Sequence, residues 1–330
     1  MNNGSLLTVE HLLTSFNVNA NGVRRKLRAV NDVSFNLFPQ ETLAVVGESG
    51  SGKTTLLRSI ALLNRPEAGS ITFDGDVMLK DGRIRKKPRG QIQMVFQNPE
   101  ASLNPLMRVR DIISEPLTPK KLPKSEARAK VHELLLDAGL NDEFQETHPT
   151  QLSGGQMQRV SIARAIATNP KLVLLDEPTS SLYMVVQAQI LNLLMGLQQR
   201  FALSYILVTH NISVARFISD RLVIFYLGKI LEEGPVERIM SAPVHPYTRA
   251  LLDAFPIPDP SKRTLLKTQI AGEPPSAIDR PSGCVFHPRC PWAQDKCKVE
   301  EPRLEVFREG QLCACHFADA IAKKMGAQPN

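Results

Sequence analysis

Eight consecutive residues carry the strongest chemical signal in this chain. Gly47-Glu48-Ser49-Gly50-Ser51-Gly52-Lys53-Thr54 matches the phosphate-loop pattern G-x-x-x-x-G-K-S/T, and Thr55 extends it. Glycines at these places let backbone N–H groups turn inward and cradle phosphate oxygens at a helix N-terminus, where the dipole favours anions. Lys53 is then expected to reach the β- and γ-phosphates of a nucleotide, with Thr54 as a Mg²⁺ ligand. A second signal is the apolar run Leu172-Val173-Leu174-Leu175, which ends in Asp176-Glu177. A buried strand of this kind delivers carboxylates at its C-terminal end, where open sheets bind ligands. Asp176 is expected to hold Mg²⁺, and Glu177 to accept the proton of an attacking water or to polarise it.

The elements that must position these residues are legible around them. Thr42-Leu43-Ala44-Val45-Val46 is a short apolar run ending at Gly47, and Thr54 to Leu63 reads as a helix, which together make strand, glycine loop, helix. With Leu172–Leu175 and Tyr205-Ile206-Leu207-Val208, three continuous apolar runs suit parallel strands covered on both faces. Leu7 to Phe38 alternates in short apolar segments, with Asn17 to Arg28 read as polar turns of an antiparallel region. Lys124 to Ala138 has helical periodicity and marks a separate helical lobe. Beyond Pro256 the chain turns proline-rich (Pro258, Pro260, Pro274, Pro275, Pro281), which reads as a linker into a small appendage.

Bulk properties bound the function classes. The 330 residues are 42% hydrophobic, enough for a substantial core, and Lys and Arg exceed Asp and Glu by seven. The densest basic run (Arg83, Arg85, Lys86, Lys87, Arg89) lacks interleaved aromatics and reads as a solvated loop. No run of about 18 apolar residues is present, and Met1 to Phe16 has no signal-peptide pattern. A cytoplasmic protein that meets a membrane only through a partner is expected. All five cysteines lie between Cys284 and Cys315, which points to metal or to coincidence rather than to a disulfide framework.

Leu152-Ser153-Gly154-Gly155-Gln156, 20 residues ahead of the carboxylate strand, resembles the signature sequence of ABC ATPases. Its serine hydroxyl and glycine N–H groups at a helix start suit a γ-phosphate. Gln97, in Met94-Val95-Phe96-Gln97, looks like that family's glutamine that contacts Mg²⁺ and the attacking water; His210 looks like its switch histidine, which contacts the γ-phosphate. Phe16 is either the aromatic that stacks on adenine or a core aromatic. The resemblance implies a phosphate-loop ABC ATPase of the α/β class, with a RecA-like core, an antiparallel β subdomain, a helical subdomain carrying the signature and a small cysteine-bearing tail. The corresponding divisions are 1–98, 99–160, 161–255 and 256–330. It further implies ATP and Mg²⁺ as ligands, and two nucleotides sandwiched in a head-to-tail dimer.

The resemblance narrows to peptide importers. Phe96-Gln97-Asn98-Pro99, Ser102-Leu103-Asn104-Pro105, Val186 to Leu191 and His245-Pro246-Tyr247-Thr248-Arg249-Ala250-Leu251 are similar to stretches of the dipeptide and oligopeptide group. Pro256-Ile257-Pro258-Asp259-Pro260 looks like the F-type of its two paired ATPases. This implies a heterodimer with a sister ATPase, two transmembrane permeases, a periplasmic or extracellular solute-binding protein, and a place on the cytoplasmic face of the inner membrane. Cys284, Cys290, Cys297 and Cys315, separated by five, six and seventeen residues, resemble the group's cysteine pattern. An iron–sulfur cluster, Zn²⁺ or plain reduced thiols all fit four such residues, with Cys313 outside the pattern and His316 a substitute ligand.

Three positions depart from the family. Tyr183 stands where the family usually has, after Ser-Ala-Leu, an acid that communicates across the dimer interface, and is expected to remove a charge, add volume at that junction and alter one site or the coupling between the two; Asn211 and Gln151 replace acids near the switch histidine and the signature. The competing functional reading is a soluble ABC ATPase acting on nucleic acid or the ribosome, consistent with the basic charge. A phosphate-loop small-molecule kinase would leave the signature and His210 unexplained.

Overall fold

The computed structural model describes residues 4–20, 22–120, 123–254, 272–273 and 275–324. The proline-rich stretch at Pro256–Pro260 and Pro274 lie outside the described residues. Two sheets organise the rest. In the larger, eight strands run in the order Glu305–Arg308, Gln311–Cys313, Lys229–Pro235, Arg221–Tyr226, Thr42–Val46, Ser204–Thr209, Leu172–Asp176 and Ile92–Val95. The five strands from Arg221–Tyr226 to Ile92–Val95 pair in parallel. Their continuous apolar character has a direct cause: both faces are covered. Leu43 and Val45 enter one core with Leu172 and Leu174, while Ala44 and Val46 enter the other with Val173 and Leu175.

The second sheet is antiparallel, in the order Val23–Leu37, Leu7–Ala20, Ala68–Phe73, Asp76–Lys80 and Arg83–Ile84. Here the structure corrects the sequence reading. Asn17 to Arg28 is not a set of turns; Asn17 pairs with Lys26 and Val18 with Arg25, and the hairpin closes only between Ala20 and Val23. These residues read as polar because the tip projects beyond the core and both of its faces meet solvent.

Helices Val109–Ser114, Lys124–Asp137 and Gly154–Ile166 make a helical layer. On the middle one, Val131, Leu134, Leu135 and Ala138 form a buried stripe at the spacing of one helix face, packing with Ile112, Ile113 and Val160. The tail is more than an irregular appendage: Gln311–Cys313 pairs with Lys229–Pro235 through Glu232 and Glu233, so it extends the large sheet. No helix among the described residues is long and apolar enough to cross a membrane. The basic run at Arg83–Arg89 is exposed, apart from Pro88, which is half-buried.

Candidate phosphate and carboxylate site

Strand Thr42–Val46 ends at Gly47, and helix Lys53–Ile60 begins after Gly52, so the expected loop hangs between a buried strand and a helix N-terminus. Gly52 takes φ 106°, and a Cβ there would run into the Ala29 carbonyl; only glycine fits. Lys53 is buried, and its Nζ donates to the Gly47 and Glu48 carbonyls at 2.8 Å each. Burial pushes the Lys53 ammonium below its ordinary range, against the pull of Glu177, Asp176 and Glu48. The buried Ser51 hydroxyl has no hydrogen-bond partner among the described residues. An orphaned donor, an ammonium and a helix N-terminus in one loop fit a polyphosphate.

Across the loop, Asp176 ends its strand fully buried, and its Oδ1 accepts a 2.8 Å hydrogen bond from the Thr54 hydroxyl. Burial raises the Asp176 carboxyl's pKa, opposed by the Thr54 hydrogen bond and by Arg58. A threonine hydroxyl and a carboxylate side by side are oxygen donors suited to Mg²⁺, a hard cation.

Glu177 follows with φ 45°, left-handed for a residue that has a Cβ. Such backbone costs on the order of 1–3 kcal/mol and gathers at functional sites. It is held because the Glu177 N–H donates to the Val208 carbonyl at 2.9 Å, which ties the turn to strand Ser204–Thr209. The turn aims the carboxylate between two other expected residues. Gln97 Nε2 donates to Glu177 Oε2 at 3.3 Å, and His210 Nδ1 lies 3.1 Å from the same oxygen. One carboxylate oxygen therefore gathers residues from three strand ends. Gln97 and Asp176 also line a cleft of about 720 Å³ with Arg58, Phe96, Glu115 and Arg164.

The signature residues are placed differently. Ser153 is the N-cap of helix Gly154–Ile166: its N–H donates to Gln156 Oε1 at 2.8 Å, and its Oγ accepts from the Gln156 N–H at 3.4 Å. Ser153 and Gly154 are exposed, so the start of this helix lies at the surface of the protomer. Gly155 is needed for packing, because a Cβ there would sit 2.7 Å from Val186 Cγ1. Phe16 is 38% exposed and belongs to neither core, which leaves it free to stack on a flat ligand.

The departures acquire local reasons. Asn211 caps helix Ile212–Ile218, its Oδ1 accepting from Ser213 and Val214 N–H at 3.0 and 3.4 Å. Gln151 Oε1 takes the His148 N–H at 2.8 Å. Tyr183 is 89% exposed on this protomer, beside exposed Met184 and Val185.

No group of three or more His, Cys, Asp or Glu among the described residues is arranged to hold a metal ion. Cys284 and Cys297 are buried, and Cys290 and Cys315 half-buried. Desolvation first, then the neighbouring cysteines, pushes the Cys290 thiol up to about 12 and the Cys315 thiol to about 11.

Sequence reasoning missed the residues that hold Glu48. Arg289 Nη1 reaches both of its carboxylate oxygens, and its N–H donates to Tyr247 Oη. A separation of 241 positions between Glu48 and Arg289 left no local signal.

Comparison with known proteins shows the family. Residues 30–180 match the ABC transporter family, and residues 231–297 match the oligopeptide/dipeptide transporter C-terminal region. The di/tripeptide transport ATP-binding protein DppF of Pseudomonas aeruginosa is 44% identical over 298 residues, 89% of this chain and 91% of the relative. The oligopeptide transport ATP-binding protein AppF of Bacillus subtilis is 41% identical, with 96% and 98% covered. A dimeric ATP-binding cassette solved in a post-hydrolysis state with ADP and Pi is 31% identical, covering 70% of this chain and 98% of its own, with a TM-score of 0.62.

Proposed function

This chain belongs to the ATP-binding subunits of oligopeptide and dipeptide ABC transporters, and from that premise we propose how its residues hydrolyse ATP to energise peptide import. The observation that carries the reading is the convergence of Gln97 and His210 on Glu177 Oε2, next to the Thr54–Asp176 pair.

ATP lies along Gly47–Thr55, with Lys53 against the β- and γ-phosphates and Phe16 against the adenine. Thr54, Asp176 and Gln97 would hold Mg²⁺, which would supply neutralisation of charge on the phosphate oxygens. Glu177 takes the proton of the attacking water, a role worth about 10²- to 10⁴-fold in rate. Gln97 and His210 orient that carboxylate, and His210 reaches the γ-phosphate. The exposed cap of Ser153, Gly154, Gly155 and Gln156 serves the nucleotide of a second protomer, so closure of two cassettes completes each site. Positioning and electrostatics carry most of the acceleration.

The finer assignments belong to the same proposal. The second protomer is a sister ATPase; the cleft around Gln97 faces one of two membrane permeases; a solute-binding protein outside the membrane selects the peptide. The subunit sits on the cytoplasmic face of the inner membrane, and its lobes divide at 98, 160 and 255. The transporter-type C-terminal region speaks against a soluble ATPase acting on nucleic acid or the ribosome. For the tail, Cys284, Cys290, Cys297 and Cys315 lie within electrostatic reach of one another, and they are the residues that would hold an iron–sulfur cluster or zinc. Iron and zinc analysis of anaerobically purified protein decides that point.

Capture of the tagged chain from membranes tests the function. Recovery of two permeases, a second ATPase and a peptide-binding protein is expected. Recovery with a binding protein for a different solute, such as nickel, would overturn the peptide assignment.

A further inference from the structure

Glu48 occupies a position that the phosphate-loop pattern leaves free, yet two residues from the C-terminal region hold it. Its N–H donates to Tyr247 Oη at 3.2 Å, so this amide is turned toward the tyrosine. Its carboxylate oxygens take Arg289 Nη1 at 3.1 and 3.0 Å. The Arg289 side chain is only 8% exposed; it also donates to Tyr226 Oη at 3.3 Å and lies 5.9 Å from that ring's centre.

The clamp has a firm base. Tyr226, Tyr247 and Phe286 pack together with ring centres 4.7 to 5.6 Å apart. Tyr247 is fixed at the start of helix Pro246–Asp253, where His245 Nδ1 accepts its N–H at 3.0 Å. The Val244 and His245 N–H groups in turn donate to the buried Glu232 carboxylate, which also accepts from Gln311 of the tail strand. A continuous set of hydrogen bonds thus joins the tail to the phosphate loop.

A carboxylate in a loop that holds polyphosphate is a liability, since like charges repel. Arg289 neutralises it, and together with Tyr247 keeps it oriented. We propose that Arg289 and Tyr247 are positioning residues through which the C-terminal region sets the affinity of the phosphate loop for nucleotide. The proposal rests on the reading of Gly47–Thr55 as the nucleotide site. Losing Arg289 leaves an uncompensated carboxylate beside the phosphates. Binding is weakened, while the reacting groups around Glu177 are left in place.

The test is MgATP binding and steady-state hydrolysis by the full chain in its assembled transporter. Arg289→Ala is expected to raise Kd and KM for ATP roughly five- to thirtyfold, the scale of residues that couple sites without touching ligand, with kcat near the parent's. Arg289→Lys restores part of the loss. Glu48→Gln added to Arg289→Ala restores most of it, because no orphaned charge remains. Tyr247→Phe keeps the ring packing and is expected to weaken binding by about two- to fivefold. Parental Kd and KM in the folded Arg289→Ala and Tyr247→Phe variants would overturn the clamp, as would failure of Glu48→Gln to rescue. Should Arg289→Ala not fold, Tyr247→Phe and the double variant decide. Lys53→Ala separates the two readings. If it abolishes binding while the clamp variants bind as the parent does, only the clamp falls; if it binds normally, the nucleotide site falls.

Discussion

Thr54 and Asp176, 122 positions apart in the chain, meet in a 2.8 Å hydrogen bond from hydroxyl to carboxylate. The phosphate loop and the carboxylate strand are joined through that contact. Thr54→Val removes the hydroxyl and leaves a buried carboxylate short of a donor, at a cost of about 1–3 kcal/mol. Loss of the proposed Mg²⁺ ligand adds at least about a tenfold fall in hydrolysis. Calorimetry and phosphate release should show both effects, and excess Mg²⁺ should recover part of the rate. A variant with parental stability and activity would mean that the pair does neither job.

His245 makes stability fall in mild acid. It is fully buried, and desolvation lowers its pKa from 6.5 to about 3. Below pH 6.5 the unfolded chain takes up a proton that the folded chain refuses until about pH 3. Stability from this group is therefore complete above pH 6.5 and is lost as pH falls toward 3. By pH 5 the loss is about 2 kcal/mol. Glu232, whose pKa burial raises, acts in the opposite sense, so the comparison with His245→Asn isolates the histidine. Denaturant unfolding at pH 7.5 and 5 should show a smaller drop for His245→Asn; equal drops would refute the assignment.

Tyr183 is the N-cap of helix Met184–Phe201 and makes no side-chain capping bond. Tyr183→Asp supplies the missing acceptor, worth about 1 kcal/mol and roughly 2 °C in Tm for a chain of this size. Scanning calorimetry checks it, and an unchanged or lower Tm contradicts it. Single-turnover hydrolysis of the same variant shows whether the family's acid also tunes the coupling between sites; unchanged turnover and transport would remove that role.

What the sequence made legible follows from physics that acts locally. Thr42–Val46, Leu172–Asp176 and Ser204–Thr209 could be read because parallel strands buried on both faces must be continuously apolar. The loop at Gly47–Thr54 could be read because its backbone conformation demands glycine. The hairpin tip was misread because Asn17–Arg28 is polar on both faces, which strands in solvent share with turns. Glu305–Arg308 and Gln311–Cys313 are too short to show alternation, so the tail's entry into the sheet left no trace. The Glu48–Arg289 pair depends on tertiary folding alone.

The central claim is that Glu177, steered by Gln97 and His210, is the base that activates water. Pre-steady-state hydrolysis of bound ATP by the assembled transporter carrying Glu177→Gln is its most direct test. The account predicts that the chemical step slows by about 10²-fold or more, while ATP affinity is kept and a closed, ATP-loaded dimer accumulates. Hydrolysis at the parental rate by that variant would contradict it.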